Sequence, residues 1–275
     1  MPPKTRAVRT ATVVDAEKVG PHMVRLTFNC PDLVGATLPH TDHYVKILFP
    51  PIGAGYSWPF DPEEIRATRP AEAPVTRTYS VRSYDAATGT AKIDFVIHGD
   101  EGLAGPWAAK AQPGDQIGFY GPGGAWHPTD DYHHFVLAGD EAAAPAIAAA
   151  LEALPEGATA TAFVEIADGD STFDMPEHDG VEVVWVTRDG EPYGAALART
   201  VRSVSFPGGR TGWFVHGVAE MVKDLRRYLF VEKGVPRGDV SISGYWRTGM
   251  NEDGWQSSKH EFVEAMESEE AAATR

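Results

Sequence analysis

Near residue 130 the apolar residues change rhythm, and this break constrains the fold more than any single motif. Upstream, Ala7 to Asp15, Met23 to Asn29, Tyr44 to Phe49, Arg77 to Ser83, Lys92 to His98 and Gln116 to Tyr120 carry the alternating or β-branched pattern of strands. Gly and Pro punctuate them, as at Pro50-Pro51 and Gly121-Pro122-Gly123-Gly124. One helical stretch, Leu103 to Ala111, lies among them. Residues 53–75 show no period and read as a long surface loop, of a kind that is often functional. Six short strands with so little helix predict a small antiparallel β-barrel.

Downstream, strands and helices alternate. Strands are expected at His134 to Ala138, Thr161 to Ile166, Val181 to Thr187, Trp213 to His216 and Val240 to Tyr245. Helices are expected at Ala142 to Leu154, Tyr193 to Val201 and Val218 to Lys233, with Pro145 tolerated in a first turn. That alternation implies a parallel sheet with helices on both faces. Lys259 to Glu270 forms a final acidic helix. The reading is an α+β two-domain chain: an antiparallel six-stranded barrel over 1–130, an α/β domain over 131–250, and a C-terminal acidic helix over 251–275.

Composition narrows what such a chain can do. No apolar run approaches the roughly 18–20 residues that cross a bilayer, and the basic N-terminus leads into a strand pattern, not a signal core. The single cysteine, Cys30, allows no internal disulfide and fits a reducing cytoplasm. A net charge of −15 argues against nucleic-acid binding, which needs a cationic surface. Residues 1–130 hold 14 acidic and 12 basic residues, whereas 131–275 hold 25 and 12. The two halves therefore suit different tasks, unless the second simply carries an acidic solvated face. His127, His133 and His134 cluster, but neighbours on a strand point to opposite faces, so no metal site is expected.

Two motifs carry chemistry. Arg77-Thr78-Tyr79-Ser80-Val81-Arg82 lies on an expected strand, so Arg77, Tyr79 and Val81 face one way and Thr78, Ser80 and Arg82 the other. A flavin dinucleotide needs a cation for its pyrophosphate, a flat surface for its ring and a polar partner near the ring edge. Arg supplies a bidentate fork, Tyr a stacking face with a polar tip, and Ser a hydroxyl. The second motif runs from Asp94 and Val96 on a strand, through His98-Gly99-Asp100-Glu101-Gly102, into Ala104-Gly105-Pro106-Trp107-Ala108. Glycines allow close approach of backbone N–H groups to a phosphate, and His98 suits either a phosphate or a structural role. An exposed strand or an ordinary Gly-rich turn explains either motif alone; the two in order, about 20 residues apart, point together to a flavin site.

Arg77-Thr78-Tyr79-Ser80 is similar to the Arg-x-Tyr-Ser signature of ferredoxin-reductase-like flavoproteins. With His98 to Gly102, Trp107-Ala108, Gln112-Pro113-Gly114-Asp115, Ala138-Gly139-Asp140-Glu141, Pro145-Ala146-Ile147 and Gly244 to Gly249, the chain resembles the siderophore-interacting protein family over about residues 7–255. The resemblance implies an FAD-binding barrel, an NAD(P)H-binding-like domain and reduction of Fe(III) held in a siderophore. It implies cofactor contacts at Arg77, Thr78, Tyr79, Ser80, Val81, Asp94, Val96, His98, Gly102, Ala104, Gly105, Pro106, Trp107, Asp140, Ala143 and Trp246, and substrate contacts at Lys46 and Arg247. The donor is NADH, NADPH or reduced ferredoxin, and no protein acid, base or nucleophile is required. A flavin or ferredoxin-type reductase with another acceptor, or a non-catalytic flavin- or chelate-binding protein, are the rivals. Two departures stand out. Asp140-Glu141 stands where related reductases have a glycine-rich turn, an acidic pair in which the siderophore-interacting family looks similar, and is expected to repel a dinucleotide pyrophosphate; Val218 replaces an expected Glu.

Overall fold

The computed structural model describes residues 7–97, 99, 102–206 and 209–273. The chain forms two compact units, the first ending at Ala125 and the second beginning at Trp126.

The first unit is a closed antiparallel barrel of β1 (Arg9–Gly20), β2 (Met23–Asn29), β3 (Tyr44–Phe49), β4 (Val75–Asp85), β5 (Thr90–Val96) and β6 (Gln116–Gly123), ordered β1-β2-β5-β4-β3-β6. Strand alternation sends Leu26, Phe28, Ile47, Phe95 and Phe119 inward, where they form one core. Closure removes free sheet edges. β1 runs five residues beyond the expected Asp15, because an extra residue at Val14 bulges the strand and lets pairing with β2 resume at Asp15 opposite Thr27.

The expected loop at 53–75 contains a helix, α1 (Pro62–Thr68). Its start was encoded: Asp61 accepts hydrogen bonds from the N–H groups of Glu63 and Glu64, and Pro62 occupies the first position. A five-residue helix, α2 (Ala104–Ala108), presents Trp107 to the barrel core, where its ring centroid lies 5.8 Å from that of Phe49 and 6.1 Å from that of Phe95.

The second unit is a five-stranded parallel sheet ordered β11-β10-β7-β8-β9. The strands are β7 (His134–Asp140), β8 (Thr159–Ile166), β9 (Val181–Thr187), β10 (Thr211–Val218) and β11 (Val240–Trp246). The helices are α3 (Ala144–Glu152), α4 (Ala195–Ser203), α5 (Ala219–Arg227) and α6 (Glu252–Ala273). Phe135, Leu137, Ile147 and Leu151 pack one face of the sheet, and Phe163, Val215, Leu197 and Leu225 the other. Chain order runs outward from β7 to β9, then returns to place β10 on the opposite side of β7. The sheet therefore has its topological switch point between β7 and β10.

α6 starts at Glu252, seven residues before the expected Lys259. The Asn251 carbonyl accepts from Trp255 N–H, its side chain accepts from Gly254 N–H, and the buried Trp255 anchors the added turns. Its acidity is partly consumed internally, since the buried Glu270 pairs with Arg226 and Arg237.

Candidate cofactor and substrate site

In the barrel, cross-strand register decides which way the first motif points. Arg77 stands opposite Ile47 and Tyr79 opposite Val45, both interior residues, whereas Thr78 stands opposite Lys46 and Ser80 opposite Tyr44. Arg77 is half-buried and donates through Nη1 to the Thr76 carbonyl at 2.7 Å. Tyr79 is half-buried, with its ring centroid 4.4 Å from that of Phe95, so a core aromatic backs it. Thr78 is exposed; Ser80 and Val81 are buried in succession because pairing with β5 shifts register after Val81.

A histidine the sequence reading overlooked stiffens this end of β4. Val81 N–H donates to the His43 carbonyl at 2.7 Å. His40 N–H donates to His43 Nε2, which assigns the ring proton to Nδ1 and makes that atom the donor to the Gly123 carbonyl at 3.0 Å. Asp42 accepts from Ala125 N–H at 2.8 Å. The only sequence signal was the density of polar residues in His40-Thr41-Asp42-His43, which has no period to read.

The second motif splits into parts that serve the fold and parts open to a ligand. Asp94 forms a bidentate pair with Arg25, at 2.6 and 2.8 Å, directly across the β2–β5 ladder. Its side chain is only 4% exposed, so the carboxylate is committed to the barrel wall. Val96 is half-buried opposite Met23. Gly102 is exposed with a left-handed φ of +86°, and Gly105 lies where a Cβ would come 3.4 Å from the Val96 carbonyl. Ala104 is buried, Pro106 and Trp107 half-buried, and His98 lies outside the described residues.

Lys46 projects from the outer face of β3 and is half-buried, with Thr78 and Tyr120 as its cross-strand neighbours. The 53–75 segment folds back onto this face. Trp58 covers Gly118, and Arg66 reaches the Tyr120 hydroxyl at 3.4 Å while pairing with Glu63. Arg66 is thus a second cation at Tyr120, the cross-strand neighbour of Lys46, on a segment whose sequence shows no helical period.

In the second unit, Asp140 and Glu141, the acidic pair in place of a glycine-rich turn, are both buried. Asp140 accepts from Val218 N–H and Trp246 Nε1–H, each at 2.8 Å, and from Ala142 N–H at 3.0 Å. Burial pushes its carboxyl up to about 6 despite these donors. Burial also pushes Glu141 up to about 7, against the pull of Arg188 at 3.9 Å. Arg188 lies over the Tyr193 ring at 3.9 Å and meets the fully buried Glu165 at 3.4 Å; Glu165 also accepts from Gly194 N–H at 2.9 Å. Ala143 is buried against Gly139, and Trp246 packs edge-on to Tyr193 at 4.8 Å. Arg247 pairs with Glu220 at 3.6 Å and lies over Phe262. Val218 is a core residue. Among the described residues no cluster of three or more His, Cys, Asp or Glu could hold a metal, and no helix is long and apolar enough to cross a membrane.

Comparison with known proteins decides the family. Residues 12–126 match the siderophore-interacting FAD-binding domain, and residues 132–249 match the siderophore-interacting protein domain. Ferric vibriobactin reductase ViuB of Vibrio cholerae is 31% identical over 92% of this chain and 94% of its own. The chain belongs to the siderophore-interacting protein family. An uncharacterized protein of Mycobacterium tuberculosis is 38% identical over 94% of this chain and 97% of its own. The NADPH-dependent ferric-chelate reductase of Escherichia coli is 29% identical over 86% and 92%. Among solved structures, a siderophore utilization protein from T. fusca aligns with TM-score 0.77 and 35% identity over 89% of this chain and 94% of its own. The siderophore-interacting protein SipS from Aeromonas hydrophila aligns with TM-score 0.79 and 27% identity over 94% and 99%. A ferredoxin reductase of a carbazole dioxygenase system shares the fold at 17% identity, with TM-score 0.65 over 90% and 71%.

Membership makes the chain a flavin-dependent oxidoreductase with FAD as its cofactor. The barrel residues fit that group: a guanidinium and a core-backed phenol ring on one strand face, and an exposed glycine, Gly102, beside which backbone can approach a phosphate.

Proposed function

We propose that this siderophore-interacting protein reduces Fe(III) held in a siderophore in the cytoplasm, releasing the metal as weakly held Fe(II). The observation that carries the reading is the pairing of Arg77 with a Tyr79 ring backed by Phe95 on one strand of an FAD-binding barrel. FAD, when bound, supplies the electron chemistry, taking electrons from a donor and passing them singly to iron. The chain's own residues bind and orient. Arg77 offers a charge-assisted fork to the pyrophosphate, Tyr79 a face to the flavin ring, Ser80 a hydroxyl at the ring edge, and the Gly102–Trp107 segment backbone to the phosphates. Lys46 meets the anionic rim of the chelate, with Arg247 as the candidate cation of the second unit. The names of the Vibrio cholerae and Escherichia coli relatives support a ferric-siderophore acceptor and a nicotinamide donor. Reduced ferredoxin is the alternative donor.

The test is anaerobic. The purified FAD-loaded protein is bleached with stoichiometric dithionite and mixed with ferric hydroxamate or ferric catecholate, with a chromogenic Fe(II) chelator as trap. Return of the oxidised flavin spectrum together with trapped Fe(II) is expected. A flavin that stays bleached before both chelate classes would rule the reading out.

A further inference from the structure

Open α/β sheets take their ligands in the crevice outside the carboxyl ends of the strands at the switch point, and nucleotide phosphates are held there by N–H groups of helix N-termini. In this chain that crevice, between the ends of β7 and β10, is occupied by one of its own side chains. Asp140 closes β7, and its Oδ2 accepts from Val218 N–H at the junction of β10 and α5 and from Trp246 Nε1–H at the end of β11. Its Oδ1 accepts from Ala142 N–H ahead of α3, and its carbonyl from Ala143 N–H at 2.9 Å. Pro145 has no N–H to offer. The N–H groups that lead into both helices, at Ala142 and Ala143 before α3 and at Val218 before α5, are already engaged by this one residue.

The surrounding backbone is closed around that carboxylate. Gly217 sits at φ +136°, where a Cβ would come within 2.8 Å of the Asp140 carboxyl carbon. A Cβ on Gly139 would come within 2.6 Å of Ala143 Cβ and the His216 carbonyl. Gly217 admits the aspartate, and Gly139 lets the approach to α3 and the backbone of β10 close in beside it. Its three side-chain partners are all N–H groups, shared between the two carboxylate oxygens, so the pair of oxygens is filled as an anion's would be.

We propose that Asp140 is a built-in anion filling the phosphate seat at the switch point, and that it sets donor selectivity: a nicotinamide dinucleotide is accepted only without a phosphate anchored there, hence weakly. The proposal rests on reading the second unit as the donor-side domain. It differs from simple repulsion by an acidic pair, because Asp140 acts by occupancy and hydrogen bonding, and Glu141 has no part in it.

Calorimetric titration of the FAD-loaded full chain with ADP-ribose and with inorganic pyrophosphate tests it. The parent is expected to show no saturable binding below millimolar concentrations; saturation at micromolar ADP-ribose would overturn the proposal without any variant. Asp140→Ala vacates the seat. It should bind pyrophosphate and ADP-ribose at least about tenfold more tightly, roughly 1.4 kcal/mol. Formate should raise its melting temperature and restore the parent Trp246 fluorescence by replacing the lost carboxylate. A folded, flavin-loaded Ala variant indifferent to all three anions would sink the idea. Asp140→Asn keeps the seat filled and should stay blind to pyrophosphate. A tenfold gain there would mean that charge, not occupancy, excludes the ligand. The parent and Asn titrations remain decisive if the Ala variant does not fold. Ferric-chelate reduction by the dithionite-reduced parent tests the reductase reading separately.

Discussion

Asp94 lies inside the flavin motif, yet its geometry makes it a strut of the barrel, and the two roles predict opposite outcomes. The perturbation is Arg25→Met, which removes the bidentate partner at 2.6 and 2.8 Å and leaves a carboxylate with a side chain 4% exposed. Breaking a buried pair from one side typically costs about 3–5 kcal/mol, because the remaining charge keeps its desolvation penalty without its compensation. Replacing both members, as Arg25→Met with Asp94→Leu, removes the penalty along with the pair and should return stability to within about 1 kcal/mol of the parent. The coupling energy from the double-mutant cycle is then about 3 kcal/mol. Urea unfolding followed by Trp107 environment and bound-flavin fluorescence reads the barrel. The double variant should still hold FAD. The reasoning is refuted if Arg25→Met costs under about 1 kcal/mol, or if Asp94→Leu strips flavin from a barrel that remains as stable as the double variant.

Other outcomes follow from the same geometry. Tyr79→Ala and Arg77→Ala should each lower FAD content after gel filtration, the latter by losing a charge-assisted contact of about 1.5–3 kcal/mol; unchanged stoichiometry and affinity in both would move the flavin site elsewhere. Burial raises Asp140 to about 6 and Glu141 to about 7, above their ordinary values, so these two carboxyls bind protons more tightly in the native second unit than in the unfolded chain, while the buried His216, lowered to about 3, acts in the opposite sense. The contribution of the two carboxyls to stability is therefore complete below about pH 4 and fades as pH rises through 6–7, by up to about 1.4 kcal/mol per pH unit for each group. In melting curves reported by Trp185, Trp213 and Trp255, the stability difference between Glu141→Gln and the parent should grow in favour of the variant as pH rises from 5 to 8, and a difference that does not change with pH would contradict the assignment. Glu165→Ala leaves the buried Gly194 N–H without its acceptor and Arg188 with only the longer Glu141 contact, and should cost about 1–3 kcal/mol in the second unit, measured by hydrogen exchange of β8. Lys46→Ala should slow reduction of anionic tris-catecholates far more than neutral hydroxamates with FAD content intact; equal losses would make Lys46 a support of the flavin or the fold.

The architecture was legible because periodicity reports which faces are buried, and burial is what the barrel and the sheet are made of. Period-2 runs such as Met23 to Asn29 became barrel strands with their apolar members inside, and the alternating second half became a parallel sheet covered on both faces. What periodicity misses is structure nucleated by a few polar atoms. α1 exists through Asp61, Pro62 and two backbone N–H groups, and the early start of α6 depends on Asn251 and the anchor Trp255. Neither leaves an apolar period long enough to detect.

The site divides along the same line. Arg77 and Tyr79 could be singled out because a guanidinium and a phenol at alternate strand positions have few common structural uses together. The burial of Asp140 and Glu141 was not legible for a physical reason: a sequence displays formal charge but not its partners. Asp140 is satisfied by three N–H donors from three separate segments, at Ala142, Val218 and Trp246, and only the folded topology brings them to one carboxylate. Arg188, Glu165 and Arg25 are likewise charges consumed inside the fold. Much of the second unit's acidity is spent in this way, on Arg226 and Arg237 by Glu270, on Arg210 by Asp239, and on Arg202 by Asp224 and Glu232. Each pairing also neutralises a base, so the excess negative charge is left unpaired and keeps its long-range field. An anionic chelate therefore approaches against repulsion and is held only by close contacts, and added salt should speed its reduction while leaving that of a neutral chelate unchanged.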